Sequence, residues 1–422
     1  MHAFTYRHGH LSAEAVPLHT IASEVGTPVY VYSSDAVVSQ FSQLDAALAS
    51  ADCLICYALK ANSSLAVIKT LGQLGSGVDV VSEGEIHRAL AAGIDPGKIV
   101  FSGVGKTHAE MRFALEAGIF AFNVESEPEL HALADVAAST GKTARAALRI
   151  NPDVDAKTHT KITTGRHGDK FGIAVNDAAR LFTVARSLPS IDLQGVHVHI
   201  GSQITQPEPY RDAFSVVERF VTERRREGHT VSFVNVGGGL GIPYRPETST
   251  ISLGGTYAPL VADLSRRLSV RLILEPGRIL VGDAGVLLTR VIYVKESGAK
   301  RFVIVDAAMN DLVRPTLYDA FHDVWPLDEG KTREAPMEAD LVGPVCETGD
   351  FLAKNRTLPP VRAGDLLAIM SAGAYGAVQS STYNSRLLVP EVLVRRDQYM
   401  VTRPRPTYAD MLKTERLPNW FA

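Results

Sequence analysis

The sequence predicts an α/β protein: a TIM-type (β/α)8 barrel followed by a mostly β C-terminal domain that the N-terminal segment completes. Three observations carry this prediction. Eight short apolar runs recur at residues 53–59, 78–81, 99–101, 119–124, 144–150, 193–200, 231–236 and 271–274, and such runs read as buried parallel strands. Ala-, Leu- and Glu-rich helical stretches lie between them, for example 83–92 and 127–138. Past about residue 280 the helical periodicity fades and strand-like pieces take over, at 286–294, 301–306, 339–342, 366–370 and 391–395.

Eight strand–helix pairs close a barrel of ~250 residues. The competing architecture, a doubly wound open sheet, more often shows fewer strands and a glycine-rich turn after the first. Here Lys60-Ala61-Asn62 follows the first run. A β-like segment at 27–33 precedes the barrel. The expected organisation is therefore an N-terminal segment (1–32) belonging to the β domain, a barrel (33–280) and a β-rich C-terminal domain (281–422).

Composition bounds the function. The 422 residues carry a net charge of -3, which offers no electrostatic case for nucleic acid or an anionic membrane. No apolar run approaches the ~18 residues of a membrane helix, and the polar first ten residues lack the apolar core of a signal peptide. Three cysteines argue against a disulfide framework and for a reducing cytoplasm.

Barrel chemistry collects at the C-terminal ends of the strands. Lys60 ends the run Leu54-Ile55-Cys56-Tyr57-Ala58-Leu59. Desolvation there favours the neutral amine, the nucleophile that condenses with an aldehyde cofactor such as pyridoxal phosphate (PLP). The plainer reading is a lysine snorkelling from a strand end. Gly237-Gly238-Gly239-Leu240-Gly241 follows another run and reads either as an anion nest suited to phosphate or as a tight turn. His197 and His199, two apart on a strand, share a face. No third residue at metal-like spacing joins them, so His199 suits stacking on a flat ring and His197 suits the core. Glu275 could face a pyridine nitrogen and keep it protonated, or pair with Arg278 or another arginine. Asp79, alone in Val78-Asp79-Val80, is a supporting partner, of Arg149 for instance, or a strand-edge charge. Cys346, between apolar residues and Glu347, is a candidate proton donor or core filler. Tyr375 is the one phenol in the small-residue turn Ala372-Gly373-Ala374-Tyr375-Gly376.

Two other patterns are decoys. Gly105-Lys106-Thr107 ends like a phosphate-binding loop, but Val100 stands where that motif needs glycine. Cys53 and Cys56 form a CxxC whose spacing on a strand points the thiols to opposite faces.

The ordered set of motifs resembles the diaminopimelate decarboxylase family, PLP-dependent enzymes of the alanine-racemase-like barrel group that includes ornithine decarboxylase. The motifs run from Gly26-Thr27-Pro28-Val29-Tyr30 and the lysine segment through Ser82-Glu83-Gly84-Glu85, Lys170-Phe171-Gly172, His197-Val198-His199-Ile200-Gly201-Ser202 and Glu275-Pro276-Gly277-Arg278. They end with Cys346-Glu347-Thr348-Gly349-Asp350 and Tyr383-Asn384-Ser385-Arg386. Glu83 and Thr348 depart from the common pattern, where Gly and Ser are usual.

The resemblance implies decarboxylation of meso-2,6-diaminopimelate to L-lysine and CO2. It assigns Lys60 to the cofactor linkage, His199 to the ring face and Glu275 to the ring nitrogen. Ser202, Gly238, Gly239, Pro276, Gly277 and Arg278 would surround the phosphate, and Asp79 joins the cofactor set. Tyr375 would reach cofactor and substrate. Arg278, Arg314 and Tyr318 match substrate-carboxylate ligands, Glu347 an ammonium ligand and Cys346 the proton donor. In the family, Cys346 and Glu347 reach the partner's site, which implies a homodimer and no metal. Glu347, where ornithine-type relatives carry Asp, and the two arginines favour a substrate with a second carboxylate. The alternatives are a decarboxylase of ornithine, arginine or carboxynorspermidine, or a non-catalytic PLP-binding protein. The Thr, Lys and Gly content of 158–168 suits a mobile lid.

Overall fold

The structure, a computed structural model, describes residues 3–156 and 170–421. The expected lid at 158–168 lies outside these residues. The chain divides into two compact units, one from Val37–Pro243 and Glu247–Leu280, the other from Met1–Ala36, Tyr244–Pro246 and Val281–Ala422.

In the first unit the predicted strands form, in order, Cys53–Ala58, Gly77–Val80, Ile99–Phe101, Ala121–Val124, Ala144–Asn151, Ile191–His197, Phe233–Asn235 and Arg271–Leu274. Each pairs in parallel with the next, and the last pairs with the first from Leu272↔Cys53 to Leu274↔Ile55. This closure makes a barrel and excludes the open sheet. Leu54, Cys56, Val100, Ala121, Ala147, Phe233 and Ile273 fill one buried cluster. Leu54 and Cys56, two apart, share the inward face, as strand alternation requires. The sixth strand breaks register between Leu193 and Gly195. Glycine is needed there: a Cβ at Gly195 would stand 2.3 Å from the Phe233 ring and 2.6 Å from the Ala147 Cβ.

Local chemistry starts the helices that follow the strands. Ser82 Oγ accepts from the Glu85 N–H, and Ser126 Oγ accepts from the Glu129 N–H. Thr107 and Glu110 form a reciprocal capping box. Such caps satisfy donors that the first helical turn leaves open. Lys106, in the phosphate-loop decoy, is sealed instead. Its Nζ donates to Gly103 O at 2.8 Å, and to Asn123 O and Glu129 Oε1 at 2.7 Å.

The second unit is mostly sheet. Its long strand Gly285–Ser297 pairs antiparallel with Val29–Ser33, Leu366–Ile369 and Lys300–Val305 along successive stretches. Val29–Ser33 also pairs in parallel with Glu391–Arg395, so the N-terminal strand sits inside the C-terminal sheet. Val29, Val31, Val286, Leu288 and Val392 bury together there. Strands without a clear sequence signal are Val324–Pro326, Phe351–Leu358 and Gln398–Arg403, besides the small N-terminal sheet of Phe4–Arg7, His10–Ala13 and Val16–Pro17. Phe351–Leu358 and Gln398–Arg403 are the outer strands of their sheet. Lys354, Asn355 and Arg356 hide the first from apolar pattern matching, and edge strands commonly carry such charges.

Candidate active site

The first barrel strand ends where the Ala58 N–H donates to Pro276 O at 3.0 Å. A single 3-10 turn, Leu59–Ala61, then carries Lys60 off the strand. Its Nζ lies 2.8 Å from Asp79 Oδ2; the lysine side chain is 34% exposed and the aspartate fully buried. Lys60 is thus paired with a carboxylate rather than sealed in the apolar run. Burial and the nearby Glu275 raise the Asp79 carboxyl above its usual range, with Lys60 opposing them. The pairing corrects the expected Asp79–Arg149 contact. Arg149 instead donates to Glu125 Oε1 at 2.9 Å and stacks over Phe171. Glu125 also accepts from the Gly103 and Gly172 N–H groups, both at 3.1 Å.

Glu275 is buried at the end of the eighth strand. Its partner is neither Arg278 nor another arginine. Oε1 accepts from Asn235 Nδ2 at 2.6 Å and Asn123 Nδ2 at 3.2 Å, with Ser102 Oγ at 3.5 Å. His197 Nε2 stands 3.5 Å from Oε2. Burial alone would raise the Glu275 carboxyl, but His197, Lys60 and His199 outweigh it and hold the group well below the usual carboxylate range. A buried carboxylate kept ionised is an anchor for a cationic partner. His197 is correspondingly not a satisfied core histidine, since neither ring nitrogen meets a hydrogen-bond partner. Asn123 and Asn235 escaped the sequence reading. Their one signal was an amide inside the apolar runs Phe122-Asn123-Val124 and Val234-Asn235-Val236.

His199 Nδ1 accepts the Gly238 N–H at 3.1 Å. Burial, Lys60 and Arg149 drive its pKa well down, so the ring is neutral and its edge is held by the turn. The Gly237 N–H goes to Asn235 Oδ1 at 2.9 Å. The Gly241 N–H donates to Ile204 O at 3.0 Å, so three amides of the glycine turn are used by the protein, and the expected nest is narrower than its five residues. The turn still demands glycine: a Cβ on Gly238 would lie 2.0 Å from Glu275 O, and one on Gly239 2.6 Å from Gly201 O. Arg278 is buried and its Nη2 donates to Ser202 Oγ at 2.9 Å. Gly277 packs close to Ala61, with 3.0 Å available to a Cβ. Lys60, Asp79, His199, Ser202, Gly238, Gly239, Glu275 and the Pro276-Gly277-Arg278 turn thus all belong to the barrel unit.

The remaining predicted residues belong to the second unit. Arg314 opens the short helix Arg314–Tyr318, buried, with its guanidinium over the Tyr244 ring at 4.7 Å. Tyr318, partly buried, closes that helix. Cys346 and Glu347 are exposed on one turn. The Cys346 N–H donates to Asn384 Oδ1 at 2.9 Å, and Tyr383 OH reaches Glu347 Oε2 at 3.4 Å. Tyr375 holds a positive φ of 57°, a costly conformation for a bulky residue that marks functional turns.

A model of the pyridoxal-dependent decarboxylase family, pyridoxal binding domain, matches residues 34–282. This defines the class: a PLP-dependent decarboxylase barrel. Over 99% of both chains, the protein is 47% identical to diaminopimelate decarboxylase of Zymomonas mobilis and 48% identical to that of Pseudomonas aeruginosa. Among solved structures, the M. jannaschii diaminopimelate decarboxylase in complex with L-lysine superposes with a TM-score of 0.94 at 35% identity, covering 99% of each chain. The Helicobacter pylori enzyme with L-lysine gives 0.90 at 41% identity, over 94% of this chain and 98% of that one. The chain belongs to the diaminopimelate decarboxylase family.

The barrel residues fit PLP, the cofactor of that class. Asp79 Oδ1 is a buried oxygen without a hydrogen-bond partner beside a lysine amine. Glu275 is an ionised anchor, and Arg278 with Ser202 supplies donors for an anion next to a turn that admits no side chain.

Proposed function

We propose that this chain decarboxylates meso-2,6-diaminopimelate to L-lysine and CO2, the last step of lysine biosynthesis, as a homodimer in the cytoplasm. One observation carries the reading. A lysine amine held by Asp79 and a buried, ionised Glu275 share one barrel, in a chain that matches diaminopimelate decarboxylases over 99% of its length.

When bound, PLP supplies an aldehyde that condenses with amines and a protonated ring that accepts the electron pair of a breaking C–C bond. Lys60 would hold the aldehyde carbon and Glu275 the ring nitrogen. His199, fixed by the Gly238 N–H, would cover the ring. Ser202, Gly238, Gly239, Pro276, Gly277 and Arg278 would hold the phosphate, and Tyr375 would meet cofactor and substrate. Glu275 acts by keeping a proton at the atom it faces, because its three donors on Oε1 and His197 favour the carboxylate form. Arg278, Arg314 and Tyr318 would hold the carboxylate that the substrate keeps, and Glu347 its distal ammonium. The bond from the other stereocentre to its carboxylate breaks, CO2 leaves, and the electron pair stays on carbon. Cys346 Sγ or Lys60 Nζ would supply the proton that this carbon takes up.

Cys346 and Glu347 are exposed on their own unit, which leaves them accessible to a second copy. No helix among the described residues is long and apolar enough to cross a membrane, and all three cysteines are free. The test measures CO2 release from diaminopimelate, ornithine, arginine and carboxynorspermidine side by side. Diaminopimelate should lead by at least ~100-fold, as expected when a substrate leaves buried cations unpaired; equal turnover of ornithine overturns the reading. Mixing Lys60→Ala with Cys346→Ala subunits should restore activity if the sites are shared. Continued inactivity would leave the sites within single chains.

A further inference from the structure

Four residues after the helix Arg314–Tyr318, His322 is fully buried and meets two groups of opposite character. Its Nδ1 lies 2.8 Å from Met370 O, and its Nε2 lies 2.8 Å from Arg314 Nη1. A carbonyl oxygen only accepts and a guanidinium only donates. Both contacts are therefore satisfied at once by a single state, the neutral imidazole with its proton on Nδ1. The backbone carbonyl sets the tautomer, and the tautomer turns Nε2 into an acceptor aimed at Arg314. This is the arrangement by which a carbonyl orients the far nitrogen of a metal-bound histidine, here with a guanidinium in place of the metal.

The rest of the surroundings hold the ring in place. The Tyr244 ring stands edge-on to His322 at 5.4 Å, and its face takes the Arg314 guanidinium. Arg356 Nη2 donates to His322 O at 2.7 Å, fixing the backbone. Arg314 is thus braced from two directions, in plane by a hydrogen bond and from its face by an aromatic ring. A planar fork recognises a carboxylate only in a narrow range of orientations, so whatever sets its plane sets its selectivity.

We propose that His322 is a positioning residue for Arg314, and through it a determinant of specificity for the carboxylate-bearing end of the substrate. The inference rests on the assignment of Arg314 to substrate binding. His322 does not touch substrate. It contributes an acceptor whose direction is set by Met370 O.

The test uses the PLP-loaded enzyme and meso-diaminopimelate. His322→Phe keeps a flat ring and removes the acceptor. It should raise KM on the order of tenfold, the scale of one hydrogen bond to a charged group, while kcat changes less than about threefold. His322→Gln offers an amide oxygen to Arg314 and an N–H to Met370 O, and should recover most of the loss. In an Arg314→Ala background, His322→Phe should add nothing further, because the two act as one unit. An unchanged KM in His322→Phe overturns the proposal, as does a well-folded His322→Gln no better than Phe. The parent assignment fails separately, if Arg314→Ala alone leaves KM unchanged. The 15N shifts of His322 report the clamp without reference to substrate, and an Nε2–H tautomer would refute it even with Arg314 confirmed.

Discussion

Lys60 Nζ and Asp79 Oδ2 stand 2.8 Å apart, an ammonium a third exposed against a carboxylate with no exposure at all. The ends of the first and second barrel strands are thereby tied through one ion pair, and the amine is aimed by a group that cannot move into water. Lys60→Ala should abolish turnover and the visible band that PLP gains on condensing with a protein amine. Asp79→Asn keeps the amine but loses its charged orienting partner, so kcat should fall by about 10- to 100-fold, the usual cost of removing a group that orients a reactive one. Unchanged kcat in Asp79→Asn would dismiss the orienting role.

Glu275→Gln replaces one oxygen by an NH2 group. Asn123 and Asn235 already donate toward Oε1, so the amide oxygen takes that place and the NH2 faces His197. The negative charge is lost. PLP should remain bound while kcat drops by about 100- to 1000-fold, the range for deleting one preorganised electrostatic partner. Absorbance titration with PLP beside steady-state kinetics separates the two effects.

Gly238→Ala must open the 2.0 Å gap between its Cβ and Glu275 O. Overpacking of this kind costs about 1–3 kcal/mol, and backbone offers no easy retreat. Melting temperature and PLP affinity should fall together. A variant that melts like the parent and binds PLP normally would mean that the turn relaxes freely.

Lys106→Met separates stability from chemistry. Lys106 and Glu129 are 1% and 7% exposed with 2.7 Å between charged atoms. Removing one partner of such a pair costs about 3–5 kcal/mol because the other charge stays buried. Chemical denaturation should show the loss, with KM for diaminopimelate unchanged.

Glu85 predicts a pH dependence. Burial pushes its pKa up to about 7, against the opposing hydrogen bond from the Val81 N–H at 2.7 Å. The unfolded chain titrates near ~4.3. A raised folded pKa gives stability that is complete below the unfolded value and is lost as pH rises through the folded one. Glu85→Gln should therefore gain stability relative to the parent between pH 4.3 and 7, then hold a constant advantage above. Thermal melts across that window check it; a difference that does not vary with pH contradicts the shift.

The sequence by itself determined the barrel, because parallel strands buried on both faces read as largely apolar runs, and Leu272-Ile273-Leu274 is as apolar as Ile99-Val100-Phe101. It also determined the reactive types at the strand ends, since Lys60, His199 and Glu275 each interrupt or end such a run. Tertiary structure alone decided their partners. Asp79 and Lys60 are nineteen residues apart, while Asn123 and Glu275 are separated by 152, and no local pattern records which distant polar atom closes a hydrogen bond. The same holds for His322, whose state follows from Met370 O and Arg314 Nη1 arriving on opposite sides of one ring. Propensity and periodicity act over a turn or two of chain, whereas the electrostatics of a buried group are set by everything within a few ångströms of it.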